Sequence, residues 1–379
     1  MNATATIPSA NAPAKETAAL SPWALTWRRF KRHRFAVLAL YSLVVLYTLA
    51  AAAEFFVPHS REWRDLTHAY CPPQLPRFSW THGFYVPAMK RTIDPVTFKK
   101  SYFEDEAQPI GLGFFVHGER YSLWGIISSD RHFFGIKNPA TLITGSEPTF
   151  YFLGADKYGR DLCSRLIYGS RVSLSVGLVA IAVTFLLGVS IGGISGYVGG
   201  TLDNIIQRTI EIINSFPHLP LWLALGAVLP PDWSPLALYF AVTLVLSLLG
   251  WTSLARVVRG KILSLREEDY AMAARLIGAS HTRILFRHLI PGFTSHIIVV
   301  LTMSVPAMIL GETSLSFLGL GLRPPIVSWG VMLQDCLSIQ TVANYPWILT
   351  PVVLIILTVL CFNFLGDGLR DAADPYATR

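Results

Sequence analysis

Residues 172–198 read VSLSVGLVAIAVTFLLGVSIGGISGYV and contain no Asp, Glu, Lys or Arg. As a helix rising about 1.5 Å per residue, this run exceeds the roughly 30 Å of hydrocarbon in a bilayer. Working outward, further apolar runs predict helices over 35–56, 205–229, 235–259, 294–318 and 346–366. The expectation is an all-α membrane protein with six transmembrane helices. The run over 205–229 carries Arg208, Glu211 and Asn214 together with Pro217 and Pro220. It is therefore expected inside the bundle rather than against lipid.

Composition agrees with this reading. Of 379 residues, 52% are hydrophobic and 15% charged, against about 25% charged in soluble domains. The net charge of +7 is not the footprint of nucleic-acid binding, because the basic residues flank apolar runs and so act as topology signals. Four cysteines, at 71, 163, 336 and 361, form no CxxC pair and no metal-ligand spacing with the ten histidines. No metal site, cofactor or catalytic residue is expected.

Arg28, Arg29, Lys31, Arg32 and Arg34 precede the first span and place the amino terminus in the cytoplasm. Alternate counting puts the segment with Lys261, Arg266, Arg275, Arg283 and Arg287 on the same side. The chain then divides into a cytoplasmic tail (1–34), a first span (35–56) and a long extracytoplasmic insertion (57–171). A transmembrane core (172–366), with a cytoplasmic loop at 267–292, and a cytoplasmic tail (367–379) follow. Met1 to Pro22 is too poor in apolar residues to pack and is expected to be mobile. The insertion is aromatic-rich and broken by Pro72-Pro73, Pro76, Pro87 and Pro109. It is expected to fold outside the membrane, where Cys71, Cys163 and Cys336 could form one disulfide.

Gly188, Gly192, Gly196 and Gly200 recur at a spacing of four and predict one small face for close helix packing. Gly188 to Gly192 also matches GxSxG, but a nucleophile elbow needs a strand turning into a helix, and Ser190 lies inside an apolar helix. No GxxxxGK[ST] loop exists to cradle phosphates. Arg208, Glu211 and Glu312 fall at or near membrane depth, where a charge must be paired or wet. They either line a solute path or pin helices together.

The loop EEDYAMAARLIGASHTRILFRHLIP (267–291) reads as helix, break, helix, stop. Acidic residues suit the first turn, and Gly278 suits a left-handed helix end. Ala273-Ala274-x-x-x-Gly278 followed by Ile290-Pro291 resembles the EAA loop through which permeases of ABC importers engage their ATPases. Met272 stands where that pattern has Glu, and His288 where it has Ile.

Leu153 to Asp161 with Ser164-Arg165-Leu166 and Gly169 to Leu174, Gly196 to Gly200 with Asp203, and Glu312 with Leu315 to Gly321 are similar to the oligopeptide/dipeptide permease family. The resemblance is to its C-type permease. It implies a multi-pass protein of the bacterial inner membrane that forms half of a translocation path. The implied partners are a second homologous permease, two ABC ATPase subunits and an extracytoplasmic solute-binding protein, besides membrane lipid. Ala273, Ala274, Gly278, His288 and Pro291 are then the coupling loop. The implied cargo is a di- or oligopeptide, with oligosaccharide, opine or nickel as alternatives within the family. A self-sufficient secondary transporter, or a membrane enzyme or sensor using the external region, is the alternative outside it.

Overall fold

The computed structural model describes residues 22–93, 95–96, 100–137, 148–230 and 232–373. The expected mobile stretch up to residue 21 and the end of the carboxyl tail, 374–379, lie outside the described residues.

The chain begins with α1 (Pro22–Phe30), α2 (Arg34–Ala51) and the short α3 (Ala53–Phe56). Four strands follow: β1 (Arg77–Ser79), β2 (Gly83–Ile93), β3 (Lys100–Leu123) and β4 (Ile127–Ile136). The rest is helical. The elements are α4 (Leu162–Val198), α5 (Gly200–Ser215), α6 (His218–Ala227), α7 (Pro235–Leu265), α8 (Asp269–Leu276) and α9 (His281–Arg283). They continue with α10 (Thr294–Phe317), α11 (Trp329–Met332), α12 (Ile339–Asn344) and α13 (Thr350–Ala373). Among the described residues, five helical stretches are long and apolar enough to cross a membrane.

The expected helix over 205–229 is instead two helices, α5 and α6. Phe216 between them is extended (φ −90°, ψ 135°), because the ring of Pro217 disfavours a helical residue before it. The pair nevertheless runs the length of the bundle. α4 and α7 are parallel: Ser175 meets Tyr239, Ala180 meets Ser247, and Gly196 meets Arg259. The chain must therefore return between Val198 and Pro235. Asp203 pairs with Arg259 at one end, Thr252 donates to Asn214 midway, and Gly226 lies against Leu320 at the other end.

Two ends of the bundle follow from these contacts. One gathers the start of α2, the end of α4, the end of α7 and the end of α13. The other gathers the end of α2, the starts of α4, α7 and α13, and the end of α10. α4 starts ten residues before the apolar run that suggested it, since Asp161 caps it by accepting from the Cys163 and Ser164 amides. The polar first turns of this helix pack on the sheet-bearing side. They include Arg171, whose guanidinium clasps Glu54 (2.7 and 2.6 Å) and the Ala50 and Ala51 carbonyls that end α2.

The all-α expectation fails between residues 77 and 136, which form an antiparallel sheet of order β1-β2-β3-β4. Pro87 faces Pro109 beside a register shift, so two residues lacking an amide hydrogen sit where the ladder is already broken. β3 is long enough to pair with both neighbours along different halves of its length. Its core is small: Val86, Ile110, Leu112 and Phe150. His132 ties it to the helices through the Val57 carbonyl (2.6 Å). All four cysteines are free thiols.

His59 stacks on Trp63 (centroids 3.9 Å) beneath this sheet. Burial, and then the neighbouring His132, push its imidazole from 6.5 down to about 4, against a hydrogen bond to the Phe150 backbone. A histidine lowered on folding contributes stability above its unfolded value and loses it as pH falls through the folded one. Thermal unfolding measured between pH 6.5 and 4 is therefore expected to show progressive destabilisation, by up to about 1.4 kcal/mol per pH unit. His59→Phe, which keeps the stack, should flatten that slope. An unchanged slope would remove His59 as its source.

Candidate coupling site

At the end of the bundle away from the sheet, α7 stops at Leu265 and the chain enters a compact loop. Arg266 donates to the carbonyls of Gly196 (3.0 Å) and Tyr197 (3.4 Å), capping α4 with a cation where the helix dipole is negative. α8 begins with Asp269 in its first turn and ends before Gly278, whose φ of +83° only glycine adopts without strain. Ser280 caps α9 by accepting from the Arg283 amide. The chain then rises through a π-helical turn (Ile284–Leu289) and a tighter 3-10 turn holding Pro291 into α10.

This loop is seated firmly. Ala271, Ile284, Leu285, Leu289 and Phe293 join Val258, Ile262 and Ile297 in a core separate from that of the main bundle. The Tyr197 hydroxyl meets His281 Nδ1 at 3.0 Å, and the Arg275 guanidinium lies 5.8 Å from the centre of the same ring. Ala273, Gly278, His288 and Pro291 lie on the solvent side, whereas Ala274 is half-buried against the loop's own core. Sequence reasoning passed over the residues that protrude most. Leu276 and Ile277 are 86% and 87% exposed directly before the glycine turn. The available signal was two bulky apolar residues immediately before a helix-ending glycine, on a short helix already buried through Ala271.

Three of the four spaced glycines meet α7. A Cβ on Gly188 would lie 2.8 Å from the Leu254 side chain, one on Gly196 2.7 Å from the Arg259 carbonyl, and one on Gly192 would overlap the carbonyl of Ala255. Gly200 does not belong to this face. α4 ends at Val198, Gly199 and Gly200 both have positive φ, and among the described residues nothing beyond its chain neighbours lies within 4 Å of a Cβ at Gly200. Its place is the turn into α5. Beside that turn Asp203 accepts from Arg259 Nε (2.6 Å) and Nη2 (2.5 Å) and from the Ser195 hydroxyl (2.5 Å), which joins α4, α5 and α7.

The three ionisable residues expected near membrane depth fall in two places. Arg208 and Glu211 pair with each other (2.7 Å) on the exposed side of α5. Glu312 is fully buried, at 0% exposure. The Ser173 and Ser316 hydroxyls donate to its two oxygens (2.9 and 2.8 Å), and they in turn accept from the Trp329 and Leu322 amides. The carboxyl thus joins α4, α10 and the segment after α10. Enclosed in this way, it is expected to pin helices rather than to line a path. Glu312→Leu should leave two buried hydroxyls without an acceptor, a loss of about 1–3 kcal/mol. Glu312→Gln should lose less. Thermal unfolding with competitive uptake would check both, and a changed cargo preference in either variant would contradict the pinning role.

Residues 188–379 match the family described as the binding-protein-dependent transport system inner membrane component. The chain belongs to this family. Residues 21–73 also match the N-terminal transmembrane domain of oligopeptide transport permease C. As a binding-protein-dependent transport component, the chain is 32% identical over 355 residues to the dipeptide transport system permease protein DppC of Bacillus subtilis, covering 93% of this chain and 85% of that one. It is 30% identical over 368 residues to DppC of Lactococcus lactis, covering 95% and 92%. A glutathione transport system permease, GsiD of Pectobacterium atrosepticum, is 39% identical over 225 residues, covering 59% and 72%. Membership and the five long apolar helices make this inner membrane component a multi-pass protein.

Proposed function

We propose that this chain is the C-type permease subunit of an ABC importer for di- or oligopeptides, that it forms half of the translocation path, and that partner subunits hydrolyse the ATP. The observation that carries the reading is the loop from Glu267 to Pro291. It is clamped to the helix ends by Tyr197 and Arg266 yet presents Leu276 and Ile277 outward beside Gly278. A short rigid element with an unpartnered apolar tip suits a surface through which a separate motor moves the helices. The relatives' names, dipeptide, oligopeptide and glutathione permeases, favour peptide over sugar, opine or nickel cargo.

Six crossings are the reading that the chain path supports, with α5 and α6 together making the third. The basic residues support the orientation. Arg28, Arg29, Lys31 and Arg32 before α2, Arg266 after α7, and Arg275 and Arg283 in the loop all lie at the end away from the sheet, the distribution expected on the cytoplasmic side. The sheet is then extracytoplasmic, inserted between the first two spans, where a solute-binding protein would dock. The exposed Arg208–Glu211 pair would cost at least about 2.5 kcal/mol against lipid, so it faces water or the second permease across the path. The α4–α7 seam built on Gly188, Gly192 and Gly196 keeps these two helices moving as one body above the loop.

The experiment is affinity purification of the tagged chain from its native membrane, followed by reconstitution. ATPase subunits and a second permease should co-purify, and peptide uptake should require ATP and the binding protein. Uptake by the chain alone in proteoliposomes would overturn the proposal.

A further inference from the structure

The β3–β4 hairpin carries nine residues, Tyr121 to Ser129, without a charged side chain. Its tip is apolar and exposed: Trp124 is 62% accessible, Ile126 85% and Ile127 59%. In open water such a tip is a liability, and it is fastened to the end of α2. The Trp124 indole N–H donates to the Ala51 carbonyl (2.9 Å), the last residue of α2. Its ring lies 4.7 Å from the Arg171 guanidinium, which itself grips Glu54 and the same helix end. The level of the tip is therefore set by the end of a membrane span.

The turn is built to hold that position. Trp124 and Gly125 both have positive φ (53° and 72°), and the Ile126 amide closes on the Leu123 carbonyl at 3.0 Å. Two left-handed residues match the twist of a tight hairpin, yet a bulky aromatic seldom occupies that region. Here its ring is fixed from two sides. Apolar surface continues beside it: Phe115 is exposed and packs towards Phe55 of α3 (6.2 Å), and α2 turns Leu38, Tyr41 and Val45 outward below.

We propose that the hairpin tip, residues 123–127, rests in the outer headgroup layer of the bilayer beside α2 and anchors the sheet to the membrane surface. The inference rests on the reading that α2 is a membrane span. The occupant is lipid because the apolar tip is continuous with the outward face of that span and lies at its end. There an indole with its N–H satisfied and a cation above it have the chemistry of a membrane-interface belt. The second apolar tip, at Trp80 in the turn between β1 and β2, is 96% exposed beside Phe78 and is expected to remain in water.

The test uses the complete importer complex in lipid nanodiscs. An environment-sensitive fluorophore is attached at Ile126→Cys, at Trp80→Cys and at Val45→Cys in α2. The unsubstituted chain, taken through the same labelling, supplies the background. Lipids carrying a nitroxide near the headgroup should quench the 126 label to at least half the extent seen at 45, and should leave the 80 label as it is in nitroxide-free discs. If the label at 45 is not quenched, α2 is not lipid-facing and the membrane reading itself fails. If 45 is quenched while 126 responds no more than 80, the anchor is refuted. Protection of 126 from both the nitroxide lipids and aqueous iodide refutes it too, assigning the tip to a protein partner. Should Ile126→Cys not label, Ile127→Cys is read by the same criteria.

Discussion

Gly278→Asp is expected to abolish ATP-driven uptake while the chain still inserts and assembles. Two effects combine at this position. At φ +83° a Cβ meets its own carbonyl and costs about 1–2 kcal/mol, which unwinds the tight end of α8. A carboxylate is also added beside Leu276 and Ile277, whose exposed apolar surface would have to be covered by the partner. Among the described residues, nothing beyond its chain neighbours lies within 4 Å of a Cβ at Gly278, so the bundle itself has no reason to unfold. Gly278→Ala carries the strain without the charge and should retain partial uptake. Uptake assays beside membrane quantitation of the complex separate the cases. Normal uptake by the aspartate variant would remove the loop from coupling, whereas loss of the protein from the membrane would show a role in folding.

Gly192→Leu should have the largest effect on stability. A Cβ there overlaps the Ala255 carbonyl and lies 2.7 Å from its Cα, so the obstruction is backbone and cannot rotate away. Since lipid supplies no hydrophobic drive between helices, close backbone approach is what holds α4 to α7. Forcing them apart should cost at or above the upper end of the about 1–3 kcal/mol typical of overpacking. It should also disturb the nearby Ser195–Asp203–Arg259 network. Gly260→Ala is the control, a helical glycine whose Cβ would meet nothing outside its own helix within 4 Å among the described residues, and should leave the unfolding temperature unchanged or slightly higher. Equal unfolding temperatures for the two variants would contradict the packing role.

The helices legible in the sequence were those whose evidence was a length of apolar chain, and their errors have local causes. α4 begins early because a capping aspartate, not hydrophobicity, starts it. The helix expected over 205–229 is broken because Pro217 restricts Phe216. The sheet was not foreseen. β3 carries apolar residues on both faces, reverses its pairing partner midway and contains Pro109, so it lacks the alternation by which a strand is read. For the loop from Glu267 to Pro291, spacing sufficed to find the helix, its glycine stop and its proline, but not which side faced outward. That is why Ala274 was grouped with an exposed surface it only partly shares, and why Leu276 and Ile277 were passed over.

By itself the sequence determined that this is a membrane chain with a basic, helix-break-helix loop between spans. Hydrophobic length, charge position and glycine placement act locally, and local rules read them. Only the tertiary structure decided what long-range contacts control. Gly200 was removed from the packing face because the helix ends two residues earlier. Glu312 was enclosed between helices, because Ser173 reaches it from 139 residues away in the chain. The hairpin tip was set at the level of a span's end, because Trp124 finds the carbonyl of Ala51. No pattern along the chain encodes those distances, since each depends on two segments that meet only after the bundle has closed.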